Sequence, residues 1–221
     1  MTRIKICGIT NEKDALWASN AGVDFIGLNF YKNSPRKISI DMAKRITTKL
    51  PEFVKSVGIF VDEEISFVLK TVKKLQLKLV QLHGNESPEY CDELKNKISE
   101  SVPPDTLWEN RTQIIKAFRI CNDYVIENIN NFKNVDYYLL DTFIENIPGG
   151  TGEVFNWDLA IEIKKLGKSV FLSGGLNPDN ITEAIRKVEP YAVDVCSGIE
   201  RTPTRKDYDK MLAFIKAVRK I

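Results

Sequence analysis

One histidine, His83, stands in a chain of 221 residues, and most metal-centred chemistries go with that scarcity. The four cysteines, Cys7, Cys91, Cys121 and Cys196, lie far apart with no C-x-x-C pair, so the spacing of a Cys/His zinc site is missing. No metal and no cofactor are expected. Scattered thiols without a disulfide framework fit a reducing compartment, which makes the cytoplasm the expected location. No run approaches the roughly 20 apolar residues of a membrane helix, and the first residues carry no charged-then-apolar leader, so neither a membrane partner nor a signal peptide is expected. An excess of one charge is lacking too: 32 Lys and Arg stand against 30 Asp and Glu, a formal balance of +2. Pairs such as Lys73-Lys74 and Lys164-Lys165 fall on helix faces as solvated surface. No basic stripe interleaves with aromatics, which argues against nucleic acid as a partner.

What the chain does contain is rhythm. Short β-rich runs at 4–7, 25–30, 55–61, 79–82, 114–118, 137–141, 170–172 and 192–195 alternate with helix-period segments. Ile65, Val68, Leu69, Val72 and Leu75 repeat at helical spacing, as do Ile181, Ala184, Ile185 and Val188, and Tyr208, Met211, Leu212, Ile215 and Val218. Asn11, Ser39 and Asp179 suit helix starts, and Pro88 a first helical turn. Eight strands with eight helices predict an α/β fold, the (β/α)8 TIM barrel: a parallel eight-stranded barrel with outer helices. A doubly wound open sheet fits less well, because no G-x-G-x-x-G follows the first strand. Residues 99–113, with Pro103-Pro104, break the rhythm and read as an extended loop. No linker or shift in composition divides the chain, so one catalytic domain over residues 1–221 is expected.

Chemistry in such a barrel sits at the C-terminal ends of the strands. There the sequence puts Cys7-Gly8 after strand 1, Ser34-Pro35-Arg36 after strand 2, His83-Gly84 after strand 4 and Asp141 at the end of strand 6. Gly174-Gly175 follows strand 7, and Asp194 leads to Cys196-Ser197-Gly198 at strand 8. Glycine-rich turns after the last two strands let backbone N–H groups approach an anion, so a phosphate site is expected there. Asp141 ends the apolar run Tyr137-Tyr138-Leu139-Leu140, a partly desolvated setting that suits a general acid, although loop amides would satisfy it equally. Arg36, held in a tight turn, offers a rigid fork to a ligand carboxylate or else a surface ion pair. His83 reads as readily as an ordinary hydrogen-bonded histidine as it does a catalyst, and Cys7 alone is more often a small buried hydrophobe than a base.

Taken in order, these segments resemble the phosphoribosylanthranilate isomerase family. The matching runs are Lys5-Ile6-Cys7-Gly8-Ile9-Thr10, Ser34-Pro35-Arg36, Val57-Gly58-Ile59-Phe60-Val61, Gln81-Leu82-His83-Gly84, Leu140-Asp141-Thr142 and Gly149-Gly150-Thr151-Gly152. Gly174-Gly175-Leu176-Asn177-Pro178, Val193-Asp194-Val195 and Ser197-Gly198-Ile199-Glu200 complete the set. The resemblance implies an Amadori rearrangement of N-(5-phosphoribosyl)anthranilate to 1-(2-carboxyphenylamino)-1-deoxyribulose 5-phosphate in tryptophan biosynthesis. It implies Cys7 as general base, Asp141 as general acid and Arg36 as partner of the anthranilate carboxylate. It further implies that Gly174, Gly175, Ser197 and Gly198 take the phosphate, with His83 and Asp194 lining the pocket. The partner is then a small phosphosugar, and the chain a monomer or homodimer. Another phosphosugar isomerase or lyase, or a non-catalytic phosphosugar-binding barrel, are the alternatives. Cys196 stands where the family usually has serine, Thr204 where it usually has glycine, and the 99–113 stretch is longer than expected. An ordinary thiol near pKa 8.5 is only about 3 % thiolate at neutral pH, so the pocket must lower the pKa of Cys7 or the base works through a minor population.

Overall fold

In the computed structural model of the protein, residues 1–101, 111–119, 128–141 and 157–221 are described. Eight parallel strands close into a barrel: β1 (Arg3–Ile6), β2 (Phe25–Asn29), β3 (Lys55–Phe60), β4 (Leu79–Leu82), β5 (Gln113–Arg119), β6 (Tyr137–Asp141), β7 (Ser169–Leu172) and β8 (Ala192–Val195). Each pairs with the next, and β8 returns to β1 with Arg3 opposite Ala192 and Ile6 opposite Val195. Cys7, expected inside β1, lies just beyond it, but its N–H still donates to Val195 O at 2.9 Å, so the ladder runs on to the rim.

Seven helices are described around the barrel: α1 (Glu12–Asn20), α2 (Ile40–Thr47), α3 (Ile65–Leu75), α4 (Pro88–Glu100), α5 (Trp157–Lys164), α6 (Ile181–Val188) and α7 (Tyr208–Arg219). Of the segment between β5 and β6, residues 128–129 are helical and 120–127 lie outside the described residues, Cys121 among them. Most of the expected 99–113 loop, residues 102–110, does too. Asn11 and Ser39 cap α1 and α2 as expected, each accepting a backbone N–H in the first turn, and Ser87 does so ahead of Pro88. Asp179 does not start α6. Asn180 is the residue before it, because Asn177 Oδ1 takes the N–H groups of both Asp179 and Asn180 and holds them in a turn.

Strand alternation sorts the side chains into two cores. Phe25, Val57, Leu79, Ile115, Ala117, Tyr137, Leu139, Phe171 and Ala192 fill the barrel interior. Ile4, Ile6, Ile26, Leu28, Val80, Leu82, Leu140 and Val193 face outward and meet the helices. The inner register therefore carries Asp141 two residues beyond Leu139, and Asp194 and Cys196 two and four beyond Ala192, toward the C-terminal mouth. No described helix is long and apolar enough to cross a membrane.

A feature outside the expected repeat follows β8. β9 (Glu200–Thr202) and β10 (Arg205–Lys206) form a small antiparallel hairpin with Pro203-Thr204 at its tip. It folds back on the beginning of the chain: Thr10 Oγ1 donates to Thr204 O at 2.7 Å, and Lys206 N donates to Asp14 Oδ2 at 3.0 Å. Proline fits the second position of such a turn, but the third needs a positive φ, and Thr204 adopts +74°. A Cβ in the left-handed region costs about 1–2 kcal/mol, which glycine escapes. Thr204→Gly is therefore expected to raise stability by about 1 kcal/mol, allowing for the greater freedom of glycine in the unfolded chain. A urea midpoint at or below that of the parent would disprove the strain.

Candidate active site

Two groups of side chains occupy the mouth, one over the β8–β1 seam and one over β4–β6. At the seam, Lys5 points inward between Ile4 and Ile6 and is wholly buried. Its Nζ meets Asp194 Oδ2 at 2.8 Å; Asp194 Oδ1 is buried without a partner among the described residues. Cys7 is the next inward residue of the same strand. Its room comes from Gly27 on β2, where a Cβ would sit 3.1 Å from the Cys7 Cα. Across the seam the Cys7 thiol donates a hydrogen bond to the sulfur of Cys196, and both thiols are free.

The hairpin supplies the other wall. Lys206, buried completely, donates to Cys196 O at 3.0 Å and Glu200 Oε1 at 3.1 Å, and its Nζ lies 3.8 Å from Cys196 Sγ. Arg36 crosses from the loop after β2 and binds Glu200 with two donors, Nε to Oε1 at 2.8 Å and Nη2 to Oε2 at 2.6 Å. Two of the five donors expected to face a ligand carboxylate thus already hold a protein carboxylate. A pair with this geometry, mostly shielded from water, raises the Arg36 pKa, chiefly through the hydrogen bonds to Glu200. The Glu200 carboxyl lies below its ordinary range: burial opposes ionisation, and Arg36 and Lys206 together outweigh it.

The same surroundings act unequally on the two sulfurs. Cys7 is pushed well above an ordinary thiol by its hydrogen bond to Cys196 and by burial, with Lys5 opposing. Cys196 is pulled down to about 7 by accepting that bond and by Lys206 and Arg36, against burial. The lowering that the sequence argument asks of Cys7 is found on its neighbour.

On the opposite side, His83 Nε2 lies 3.3 Å from Asp141 Oδ2, and both are partly exposed to the mouth. Gln81, one inward position below, sets its amide nitrogen 2.7 Å from His83 Nδ1. With Gln81 as donor, Nδ1 is the accepting nitrogen and Nε2–H faces Asp141. The loop that carries His83 is fixed by a buried pair, Lys116 Nζ to Glu86 Oε2 at 2.7 Å, with Glu86 also accepting the N–H groups of Asp62 and Gly84. A cleft of about 710 Å³ opens here, lined by His83, Arg119, Lys116 and Phe132 among others.

Between the two groups lie the glycine turns. Gly174 and Gly175 have φ of +90° and +62°, and Ser197 and Gly198 form a short 3-10 turn. A Cβ on Gly198 would stand 2.0 Å from Leu176 O, so only glycine lets the turns after β7 and β8 interlock. The glycine run at 149–152, and all of 142–156, lies outside the described residues.

Each expected site residue thus reaches this mouth. Lys5, Gln81, Glu200 and Lys206 were missed. For Lys5 and Gln81 a signal existed: each stands two residues before an expected site residue, hence on the same strand face. Glu200 and Lys206 depend on a hairpin that gave no periodic signal.

Because the Glu200 pKa is depressed on folding, its ionised form stabilises the protein above the unfolded carboxyl pKa, and that contribution fades as pH falls through the folded value. Glu200→Gln should therefore lower the urea midpoint at about pH 7, and the gap to the parent should narrow by about pH 3. A gap independent of pH would refute the ion-pair account.

The chain is similar to known proteins over its whole length. A family model described as N-(5'phosphoribosyl)anthranilate (PRA) isomerase matches residues 4–217. An N-(5'-phosphoribosyl)anthranilate isomerase of Geobacter sp. (strain M21) is 44% identical over 221 residues, covering 100% of both chains. A crystal structure described as mutually generated monomers of the dimeric phosphoribosylanthranilate isomerase from Thermotoga maritima superposes with a TM-score of 0.84 at 38% identity, covering 100% of each chain. A phosphoribosylanthranilate isomerase in complex with reduced 1-(o-carboxyphenylamino)-1-deoxyribulose 5-phosphate gives a TM-score of 0.85 at 38% identity, again over 100% of each chain.

Proposed function

The chain belongs to the N-(5'-phosphoribosyl)anthranilate isomerase family, and on that premise we propose how its barrel mouth carries the reaction. The enzyme is an isomerase of tryptophan biosynthesis, rearranging N-(5'-phosphoribosyl)anthranilate to 1-(2-carboxyphenylamino)-1-deoxyribulose 5-phosphate. In our reading Asp141 protonates the furanose oxygen, the ring opens to an iminium ion, and Cys7 removes the C2 proton. The resulting enolamine tautomerises to the ketone. Two proton transfers and two anion sites suffice, so the chemistry asks for neither metal nor redox cofactor.

One observation supports this assignment above the rest: the inner register of the barrel carries Cys7 and Asp141 to the same mouth from β1 and β6. A furanose between them would meet an acid on one side and a thiol on the other. The contact of His83 Nε2 with Asp141 Oδ2 suits a group that steadies the acid as it gives up its proton. Arg36, with donors left over from Glu200, takes the anthranilate carboxylate, and Asp194 lines the pocket below the sugar. Gly174, Gly175, Ser197 and Gly198 hold the phosphate, and their interlocked turns support that reading. We further read residues 1–221 as one catalytic domain in the cytoplasm, acting on a small phosphosugar as monomer or homodimer.

The direct test generates phosphoribosylanthranilate in situ and follows the loss of its fluorescence; no enzyme-dependent loss would overturn the reading. Cys7→Ala should fold, judged by circular dichroism, yet lose at least about 10²-fold in turnover. Asp141→Asn should lower kcat by about 10²–10⁴-fold with KM little changed. Near-normal kcat in either variant would remove that residue from its role.

A further inference from the structure

The two sulfurs of the seam face more cationic than anionic groups. Lys5, Lys206 and Arg36 face the two sulfurs, against Asp194 and Glu200, and both lysines are fully buried. A third buried carboxylate, Asp14 on α1, takes the backbone N–H of Lys206, so the excess of one cation holds for the groups that face the sulfurs. A single thiolate on the Cys7–Cys196 pair balances it. The register sets where that thiolate rests. Cys7 and Cys196 each follow the end of paired strands, Ile6 opposite Val195, so the thiols stand side by side. Lys206 spends its other donors on Cys196 O and Glu200 and aims at Cys196 Sγ from 3.8 Å, while the stem of Arg36 and Cys196 Sγ cover the open face of Gly8.

We propose that Cys196 is the positioning residue that arms the base: the pair holds one proton between two sulfurs, and Cys196 takes the proton from Cys7 when substrate is bound. The step balances. Cys7–SH and Cys196–S⁻ become Cys7–S⁻ and Cys196–SH, and the Cys7 thiolate then accepts the C2 proton. The electron pair of that C–H bond forms the enolamine double bond. The doubly protonated pair returns one proton to C1 while the C2 hydroxyl gives its proton to the Asp141 carboxylate as the ketone forms, and both the pair and the acid are back in their resting states. This inference rests on Cys7 as the base. It explains how a thiol whose own surroundings favour the protonated form still acts near neutral pH.

The test uses Cys196→Ala and Cys196→Ser. Serine keeps a hydrogen-bonding partner but cannot hold the charge, so it separates packing from ionisation. In the parent, thiolate absorbance should rise by one group through about pH 7, where Cys196 ionises, and kcat/KM should rise with it. Both variants should lose that absorbance step, and their kcat/KM at about pH 7 should fall by roughly tenfold and recover as pH rises toward the range of an isolated thiol. A parent-like pH profile in Cys196→Ser, or a parent with no thiolate step near neutrality, overturns the proposal. The absorbance step is read without substrate; in Cys7→Ala it should remain a step of one group but move to higher pH, because Cys196 loses the bond from Cys7 and keeps Lys206 and Arg36. Failure of the base assignment, seen as turnover by Cys7→Ala, is thus told apart from failure of the charge pair.

Discussion

A lysine with no contact with water can stay charged only if an anion is built in beside it. Lys5 on β1 finds Asp194 on β8, the two strands that must meet for the barrel to close. Closure and charge pairing are therefore one event. An open sheet would leave both groups at its edges, each able to find water, whereas the closed barrel commits them to one another. Above this pair the thiols are held at the height of the next inward position, and above them Lys206, Glu200 and Arg36 form a second charged tier. Each tier pairs cation with anion, so removing one member leaves its partner buried and unpaired.

The mouth is divided in its chemistry. The β8–β1–β2 side concentrates buried charge and sulfur. The β4–β6 side concentrates partly solvated groups, His83 on a loop anchored by Lys116 and Glu86 and Asp141 at the end of β6. On the buried side Lys5 favours a Cys7 anion and burial opposes it, whereas Asp141 on the other side has access to water. The two side chains belong to strands that are not neighbours in the ring, β1 and β6.

Much of this was legible in the chain itself. Eight strands could be read because each combines β-branched or aromatic residues with a helix-period segment beyond it, and Leu79–Leu82, Tyr137–Asp141 and Ala192–Val195 fall where the pattern put them. Cys7, His83, Asp141 and the glycine turns could be read because strand ends are where such barrels expose side chains. What escaped depends on contacts between distant segments. The Arg36–Glu200 pair spans 164 residues, and no local pattern announces it. Cys196 stood out only as a substitution for serine; its meaning needed the register that sets it against Cys7. Asp179 misled because a helix-start residue type two places after Asn177 competes with a turn that Asn177 controls.

The contacts that complete the site join the beginning of the chain to its end. Lys5 to Asp194, Thr10 to Thr204, Asp14 to Lys206, and Arg219 to the carbonyl of Thr2 span 189 to 217 residues. A chain growing from its N-terminus exposes β1, with its lysine and thiol, long before any of these partners has been synthesised. The first strand must wait, and the segment from β8 through the hairpin is the one that shields it. A nascent chain stalled before β8 would hold seven strands of the barrel and none of its seam chemistry, which makes the stretch from β8 through the hairpin the step at which an assembled sheet becomes an enzyme.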